Sequence, residues 1–240
     1  EQLAGRSEQA QCQQRHAEAY RDFALAAAPK ILGRERGRWI DVIEQDNDNL
    51  RAALRWAEES GDVVVLTELV TALGWFWELQ GRRLEARRWL QVAAATPVEQ
   101  QPPQARARLL QMLGHLAGEE GDLESSRRFA VESLTLANAL GDTWTAALAE
   151  RDLDWVLFAA DNNVDGAVAL AERAAAALLE AGDLRNHLLT LLDAATIWQQ
   201  SGDTRRGLPY AETALRLAQQ WADEPLLCEA VSTVGLLAYT

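Results

Sequence analysis

The sequence has little of what a nucleic-acid-binding protein or a β-sheet protein needs. Its 240 residues include one lysine, and the formal net charge is −13. Such an acidic chain is repelled by a phosphate backbone, so we expect no nucleic-acid partner. Valine and isoleucine are scarce and do not alternate with polar residues, which argues against strands.

Catalytic and membrane signatures are also missing. None of the patterns G-x-x-x-x-G-K-[ST], G-x-S-x-G, H-E-x-x-H and C-x-x-C occurs, so we predict a non-enzymatic chain without a cofactor. Cys12 and His16 lie one helical turn apart, but no further cysteine or histidine joins them, and we expect no metal site. The sequence shows no signal peptide or membrane span. Since a repeat array would keep Cys12 and Cys228 apart, we expect a reducing, cytoplasmic location and no membrane partner.

The residues that are abundant favour helices, and they recur with a fixed period. Apolar residues make up 48% of the chain, and alanine, leucine, arginine, glutamate and glutamine are good helix formers. Turn signals recur every 40 or 41 residues in two interleaved series. The first series is Gly81, Gly121, Asp161-Asn162-Asn163 and Gly202, and the second is Gly61, Gln101-Pro102-Pro103, Gly141, Gly182 and Ala222-Asp223.

Each repeat is therefore predicted to be two helices joined by a tight turn. A glycine in the left-handed conformation ends one helix, and an aspartate that follows it can cap the next. The predicted caps are Asp122, Asp142, Asp183 and Asp203. Before the repeats, we predict a helix over Ser7–Ala28, ended by Pro29, and then one long helix over Arg38–Ser60. Asp46 could instead cap a second helix and divide this segment in two.

The helix pairs resemble the tetratricopeptide repeat (TPR). That motif has a Leu-Gly pair in its first helix, a turn glycine, and small residues in its second helix. The matching positions are Leu73-Gly74, Gly81, Ala86 and Ala93 in the first helix pair, and Leu113-Gly114, Gly121, Ser126 and Ala130 in the second helix pair. Two residues depart from the pattern. Asp154 occupies a position that needs a small apolar residue, and Pro209 falls inside a helix that it should bend or delay.

Three strings extend the resemblance to the segment that follows the ATPase and winged-helix modules in bacterial STAND proteins. They are His16-Ala17-Glu18-Ala19-Tyr20, Asp48-Asn49-Leu50-Arg51-Ala52-Ala53-Leu54-Arg55-Trp56 and Glu85-Ala86-Arg87-Arg88-Trp89-Leu90. STAND proteins are signal-transduction ATPases with numerous domains, among them large LuxR-type and SARP-type regulators and NLR-like proteins. The resemblance implies a sensor arm whose ATPase and winged-helix core lies outside this chain.

We therefore predict an all-α, right-handed α-solenoid of long TPR-like repeats with about eleven helices. Residues 1–61 would form linker or capping helices. Residues 62–240 would form the superhelix, truncated in its last repeat because the chain ends just before the next turn of the series.

Aromatic residues point to a binding surface on the predicted concave face. In a TPR array, the residue after the Leu-Gly pair faces the groove, and this column contains Trp75, His115 and Trp155. Neighbouring columns add further polar and aromatic residues, and such a wall suits a ligand or a peptide. The predicted ligand-binding residues are Trp75, Glu78, Gln111, His115, Arg151, Trp155, Phe158 and Gln199. The alternative is that these aromatics fill the interior of a tightly wound array.

Two functions fit these features. The first is a sensor module that binds a protein, a peptide or a small-molecule effector on the concave face and signals to a STAND core. The second is a free-standing TPR adapter that binds peptide segments of partner proteins. The sequence upstream of Glu1 would separate them.

Overall fold

The computed structural model describes residues 2–33, 35–221 and 224–238, and within these ranges the chain is all-α. The described residues form twelve α-helices, one short 3₁₀-helix and no strand. The helices are α1 (Gln2–Ala27), α2 (Arg36–Gln45), α3 (Asn47–Ser60), α4 (Val63–Leu79), α5 (Arg83–Ala94), α6 (Pro103–Glu119), α7 (Leu123–Leu140), α8 (Thr143–Asp161), α9 (Val164–Glu180), α10 (Leu184–Gln200), α11 (Thr204–Trp221) and α12 (Glu224–Ala238). The predicted fold class is confirmed.

The chain divides into two compact units, with the boundary between Met112 and Leu113 inside α6. In the first unit, α1 packs against α3 and α4, and α4 packs against α5. In the second unit, every helix from α7 to α11 packs on the helix that follows it. This order of packing is typical of repeat arrays, in which each element contacts its neighbours. The division into residues 1–61 and 62–240 stays a prediction.

The predicted turns are confirmed wherever the structure describes them. Six glycines have positive φ, from 64° at Gly81 to 88° at Gly202, and Asn162 takes the same role with φ 52°. The side chains of Asp122, Asp142, Asp183 and Asp203 each accept a backbone hydrogen bond three residues on, at 3.0 to 3.2 Å. Asp62 and Asn163 cap α4 and α9 in the same way. The predicted turn at Ala222-Asp223 lies outside the described residues.

The long helix predicted over Arg38–Ser60 is wrong, because the chain breaks at Asp46 into α2 and α3. The Asp46 side chain makes no capping bond to the backbone. It accepts hydrogen bonds from Tyr20 Oη at 2.7 Å and from Asn49 Nδ2 at 3.0 Å. The alternative of two shorter helices is therefore correct, although a contact with α1 takes the place of the expected cap. This break accounts for the one helix beyond the predicted eleven.

Pro209 does not delay its helix, and the bend that the sequence also allows at this residue stays a prediction. Helix α11 begins at Thr204, directly after the Asp203 cap, and continues through Pro209 to Trp221. The missing N–H of Pro209 would have bonded to the carbonyl of Arg205 in the first turn, and Arg205 is exposed. The cost is therefore confined to one bond at the solvated start of the helix.

Small residues allow close contact between helices, as the repeat pattern predicts. A Cβ atom on Gly207 would lie 2.8 Å from the carbonyl oxygen of Ala195, and one on Gly114 would lie 3.3 Å from the backbone nitrogen of Ala130. These contacts join α10 to α11 and α6 to α7. Each is the contact between the two helices of one repeat unit.

Candidate functional site

The eight residues predicted to bind a ligand are divided between the two compact units. In the first unit, Gln111 is buried with 2% exposure and Glu78 is partly buried. Trp75 is 7% exposed, which agrees with the alternative that this aromatic fills the interior. Trp75, Phe76 and Trp77 are all buried because α1, α3 and α5 surround α4. A helix enclosed in this way buries residues on all of its faces.

In the second unit, the predicted residues have different surroundings. Trp155 is 36% exposed, and its ring centroid lies 5.6 Å from that of Phe158. Phe158 is partly buried and packs against the apolar cluster that includes Ala167 and Ile197. Gln199, near the end of α10, is also partly buried. Of these residues, Trp155 retains the exposure expected of a binding residue.

A cavity of about 210 Å³ lies in the second unit, bordered by α6, α7, α8 and α10. It brings together three of the predicted residues, His115, Arg151 and Trp155. The described residues that line it are Gly114, His115, Gly118, Glu119, Ser126, Arg151, Asp152, Asp154, Trp155 and Asp193. Phe158 and Gln199 are not among them.

Glycines on α6 help to form this space. Both Gly114 and Gly118 face α7, where a Cβ atom on Gly118 would lie 3.2 Å from Ser126 Oγ. Neither residue has a side chain that could extend into the cavity. The other walls are made by residues of α8 and α10, by Ser126 of α7, and by His115 and Glu119 of α6.

Arg151 crosses from α8 to α10. Its Nε donates to Asp193 Oδ2 at 2.7 Å, and its Nη1 donates to Asn186 Oδ1 at 3.3 Å. Asn186 in turn donates through Nδ2 to Asp183 Oδ2 at 2.8 Å, and Asp183 caps α10. Burial acts to lower the pKa of Arg151, but the charge of Asp193 outweighs burial and the pKa is raised. Arg151 is therefore a fixed cation whose charge Asp193 neutralises.

A second pair joins α6 to α8. His115 Nδ1 lies 3.0 Å from Asp152 Oδ1, and the two side chains are 25% and 6% exposed. Burial acts to lower the pKa of His115, but the hydrogen bond and the charge of Asp152 act against it and leave the pKa raised. The pair therefore favours the imidazolium form of His115.

Asp154 is a buried carboxyl group on α8. It is 1% exposed, and neither carboxylate oxygen has a hydrogen-bond partner. Burial and the nearby charge of Asp193 raise its pKa well above the usual value, although Arg151 acts in the opposite direction. An isolated buried carboxylate is costly to ionise.

Two arrangements could accommodate Asp154 at this position, a pair with Arg151 one turn away or a rotation of the helix, and neither occurs. Arg151 does not pair with it, since Arg151 binds Asp193. The helix is not rotated to bury the neighbouring Trp155, which remains exposed. Counted from the helix caps, Asp154 follows Asp142 by the same interval as Ala195 follows Asp183, so it occupies the small-residue position of its repeat. A carboxylate at such a position was the signal that could have identified this site.

The local geometry of the helices and turns identifies the fold class. Paired helices with glycine turns, capped starts and small residues at the helix contacts form a TPR-like α-solenoid. Solved structures share this fold. A STAND protein with a tetratricopeptide repeat sensor, PH0952 from Pyrococcus horikoshii, is 16% identical with a TM-score of 0.65. The alignment covers 93% of this chain and 32% of that protein, so the chain spans about a third of its length.

A second similar structure is BtubC (BKLC) from P. vanneervenii. It is 15% identical with a TM-score of 0.56, and the alignment covers 90% of this chain and 82% of that one. No protein-family model and no curated protein matches the chain. The resemblance to the TPR sensor region of STAND proteins is thus confirmed at the level of the fold. Among the described residues, no helix is both long and apolar enough to cross a membrane.

Proposed function

We propose that the chain is the non-enzymatic sensor module of a STAND-type signal-transduction ATPase or transcriptional regulator in the cytoplasm. It binds a protein, a peptide or a small-molecule effector and signals to an ATPase and winged-helix core. The fold supports this proposal, because PH0952 joins a TPR sensor of the same fold to a STAND protein. In an NLR-like protein, the sensor module would be joined to an ATPase core in the same way.

The observation that carries the proposal is the cavity of the second unit. It places charged side chains from α6, α8 and α10 around one space, beside an exposed indole. Buried charges contribute little to stability compared with apolar packing, so a cluster of them around a cavity is better suited to binding. His115, Arg151 and Trp155 are the predicted residues that line it. Trp75, Glu78, Gln111, Phe158 and Gln199 stay predictions as parts of a wider binding face.

The second candidate is a free-standing TPR adapter that binds peptide segments. It is favoured by the likeness to BtubC, because the alignment covers most of both chains. The same fold therefore also occurs in a protein of comparable length. An extended peptide would occupy more of the helix faces than one cavity, and no nucleic acid or membrane is required in either function.

Two measurements test the proposal. The first is the coding sequence ahead of Glu1, where a phosphate-binding loop and a winged helix support the sensor and a nearby start codon supports the adapter. The second is the ATPase activity of the encoded full-length protein with its effector. We expect Trp155→Ala to abolish the response to the effector while basal hydrolysis is unchanged. An intact response in this variant would place the binding site elsewhere.

A further inference from the structure

The ion pair between Arg151 and Asp193 leaves one hydrogen-bonding nitrogen and one oxygen unused. Arg151 donates from Nε to Asp193 Oδ2 at 2.7 Å and from Nη1 to Asn186 Oδ1 at 3.3 Å. Among the described residues, none accepts a hydrogen bond from Nη2 of Arg151 and none donates one to Oδ1 of Asp193. A guanidinium has five N–H donors and a carboxylate accepts on both oxygens, so this pair can bond to a further group.

The two unused atoms have accessible surface, and both of their residues line the cavity. The side chains of Arg151 and Asp193 are 15% and 33% exposed. Neither Nη2 nor Oδ1 belongs to the polar atoms that the described residues enclose without a partner. The oxygens of Asp154 do belong to them, so Asp154 contributes to the wall but cannot bond to a ligand. A ligand in the cavity can therefore reach the Arg151–Asp193 pair.

Hydrogen bonds to buried residues hold this pair in place. Arg151 is on α8, and its two acceptors, Asp193 and Asn186, are on α10. Asn186 is fully buried and donates from Nδ2 to Asp183 Oδ2 at 2.8 Å. Asp183 also caps α10. Because the guanidinium is fixed before a ligand binds, less free energy is lost to the ordering of the site.

The charges of the pair favour an uncharged ligand. A carboxylate that accepts from Nη2 of Arg151 would lie beside Asp193 and be repelled by it. An ammonium group that donates to Oδ1 of Asp193 would lie beside Arg151 and be repelled in turn. An uncharged group that both accepts and donates can use the two atoms together. The ligand should therefore carry an acceptor oxygen next to an N–H or O–H donor.

A primary carboxamide meets this requirement best, because its C=O and one N–H lie on the same edge of a planar group. In a trans backbone amide the C=O and the N–H point in opposite directions, so a single peptide bond cannot use both atoms. A polyol would bring further hydroxyl groups out of water. The rest of the wall compensates them poorly, because His115 is bonded to Asp152, and Gly114 and Gly118 have no side chain.

Trp155 and the size of the cavity indicate what the carboxamide is attached to. The indole is 36% exposed at the cavity wall, and an indole packs well against methylene groups. The volume of about 210 Å³ exceeds the ~150 Å³ that holds a benzene molecule in an engineered protein cavity. A carboxamide on a short alkyl stem is similar in size to benzene and therefore fits this space.

We propose that the cavity binds a primary carboxamide, whose carbonyl oxygen accepts from Nη2 of Arg151 and whose N–H donates to Oδ1 of Asp193. The alkyl stem of the ligand lies against the indole of Trp155. This assignment rests on the proposed function as a binding module and names the chemistry of its ligand. The carboxamide belongs either to a free small molecule or to a glutamine or asparagine side chain in a segment of a partner protein.

An NMR titration of the chain with four defined probes tests the assignment. Three probes are the Nα-acetyl methylamides of glutamine, glutamate and methionine, which differ in the end group of a side chain of similar length. The fourth is butanamide, which has a carboxamide on an alkyl stem and no backbone amide. We expect the glutamine derivative to bind about tenfold or more tightly than the glutamate and methionine derivatives. Butanamide that binds as tightly as the glutamine derivative indicates a small-molecule effector, and tighter binding of the derivative indicates a segment of a partner protein.

Two variants and a matched control make the test specific. In Asp193→Asn, the amide oxygen can still accept from Nε of Arg151, while an N–H donor replaces the unused oxygen. Two donors then face the ligand, so the preference should reverse and the glutamate derivative should bind about tenfold or more tightly than the glutamine derivative. Trp155→Ala should weaken the binding of both carboxamides without a reversal. The control is Asp161→Asn, which alters a carboxylate of α8 that pairs with Arg127 and does not line the cavity. It should leave every affinity unchanged.

Several results would overturn the assignment. They are the absence of carboxamide binding at millimolar concentration, binding of the glutamate or methionine derivative that equals that of the glutamine derivative, and an unchanged preference in Asp193→Asn. The comparison of probes on the unaltered chain does not depend on the folding of any variant. If no carboxamide binds but Trp155→Ala abolishes the effector response of the full-length protein, the chain is a sensor whose ligand has another chemistry. Failure of the sensor function itself is judged separately, by the upstream ATPase sequence and the effector response.

Discussion

The guanidinium of Arg151 binds the carboxylate of Asp193 on α10, with 2.7 Å between Nε and Oδ2, although Asp154 lies one turn away on its own helix. The choice of partner determines the character of the cavity. Because the arginine is engaged by the more distant residue in sequence, the nearer aspartate is left without a hydrogen bond. The pair also fixes α8 against α10.

The first prediction concerns this pair. Arg151→Ala should lower the free energy of unfolding by about 2 kcal/mol, less than the ~3–5 kcal/mol for a fully buried pair because the Asp193 side chain is 33% exposed. The control is Arg127→Ala, whose pair with Asp161 is 41% exposed on both sides and should contribute less than ~1 kcal/mol. Urea denaturation measures both. Equal losses would show that Arg151 acts as an ordinary surface residue.

The second prediction separates the two indoles of the predicted column. Trp75→Ala should lower the free energy of unfolding by ~3–5 kcal/mol, because the side chain is buried within the first unit. Trp155→Ala should cost well under ~3 kcal/mol, because that residue is 36% exposed. Thermal and urea denaturation of the two variants give the comparison. A large loss in Trp155→Ala would mean that this indole is core packing.

The third prediction concerns pH. The pKa of His115 is raised in the folded protein, against the effect of burial, by Asp152. A raised pKa stabilises the native state fully below the unfolded value of about 6.5, and this stabilisation is lost as pH rises through the folded value. The difference in unfolding free energy between wild type and His115→Gln should therefore be largest at acidic pH. NMR titration of the imidazole should give a lower pKa in Asp152→Asn, and an unchanged pKa would contradict the role of Asp152.

The fourth prediction tests the close contact between α10 and α11. In Gly207→Ala, the new Cβ would lie 2.8 Å from a backbone oxygen of Ala195, which cannot move without shifting α10, so we expect a loss of about 1–3 kcal/mol. The matched control is Gly235→Ala on α12, where a Cβ meets nothing within 4 Å. This control should stabilise the protein by roughly 0.5–1 kcal/mol, because alanine favours a helix over glycine. If the melting temperature falls equally in both variants, the loss in Gly207→Ala does not come from the close contact between α10 and α11.

Local chemistry explains which features could be predicted from the sequence. A glycine followed by an aspartate favours a turn, because the glycine ends one helix and the aspartate caps the next. The turns at Gly121 and Gly141 could therefore be predicted from residues that are adjacent in the chain. The break at Asp46 could not be chosen over a continuous helix, because it depends on a hydrogen bond from Tyr20 of another helix. The burial of Trp75 likewise depends on three helices that surround α4.

The residues around the cavity also depend on contacts between helices that the sequence does not reveal. The position of Asp154 in its repeat was predictable from spacing, and so was its conflict with close packing. The partner of Arg151 was not predictable, because Arg151 bonds to Asp193 of α10 and not to Asp154 of its own helix. Spacing along one helix predicts that Arg151 and Asp154 are neighbours, but it gives no information on Asp193 of another helix.

Seven of the turns that the structure describes share one backbone conformation at the residue that ends the helix. Six of them use a glycine of one backbone conformation, and Asn162 reproduces it in the seventh. A duplication or deletion of one block of about 40 residues would thus restore the same joint on both sides, with no new loop to be selected. A block outside the stretch from α6 to α10 can therefore be gained or lost by recombination within a gene without removing a helix that borders the cavity, so that the length of the array and its chemical specificity are free to evolve independently.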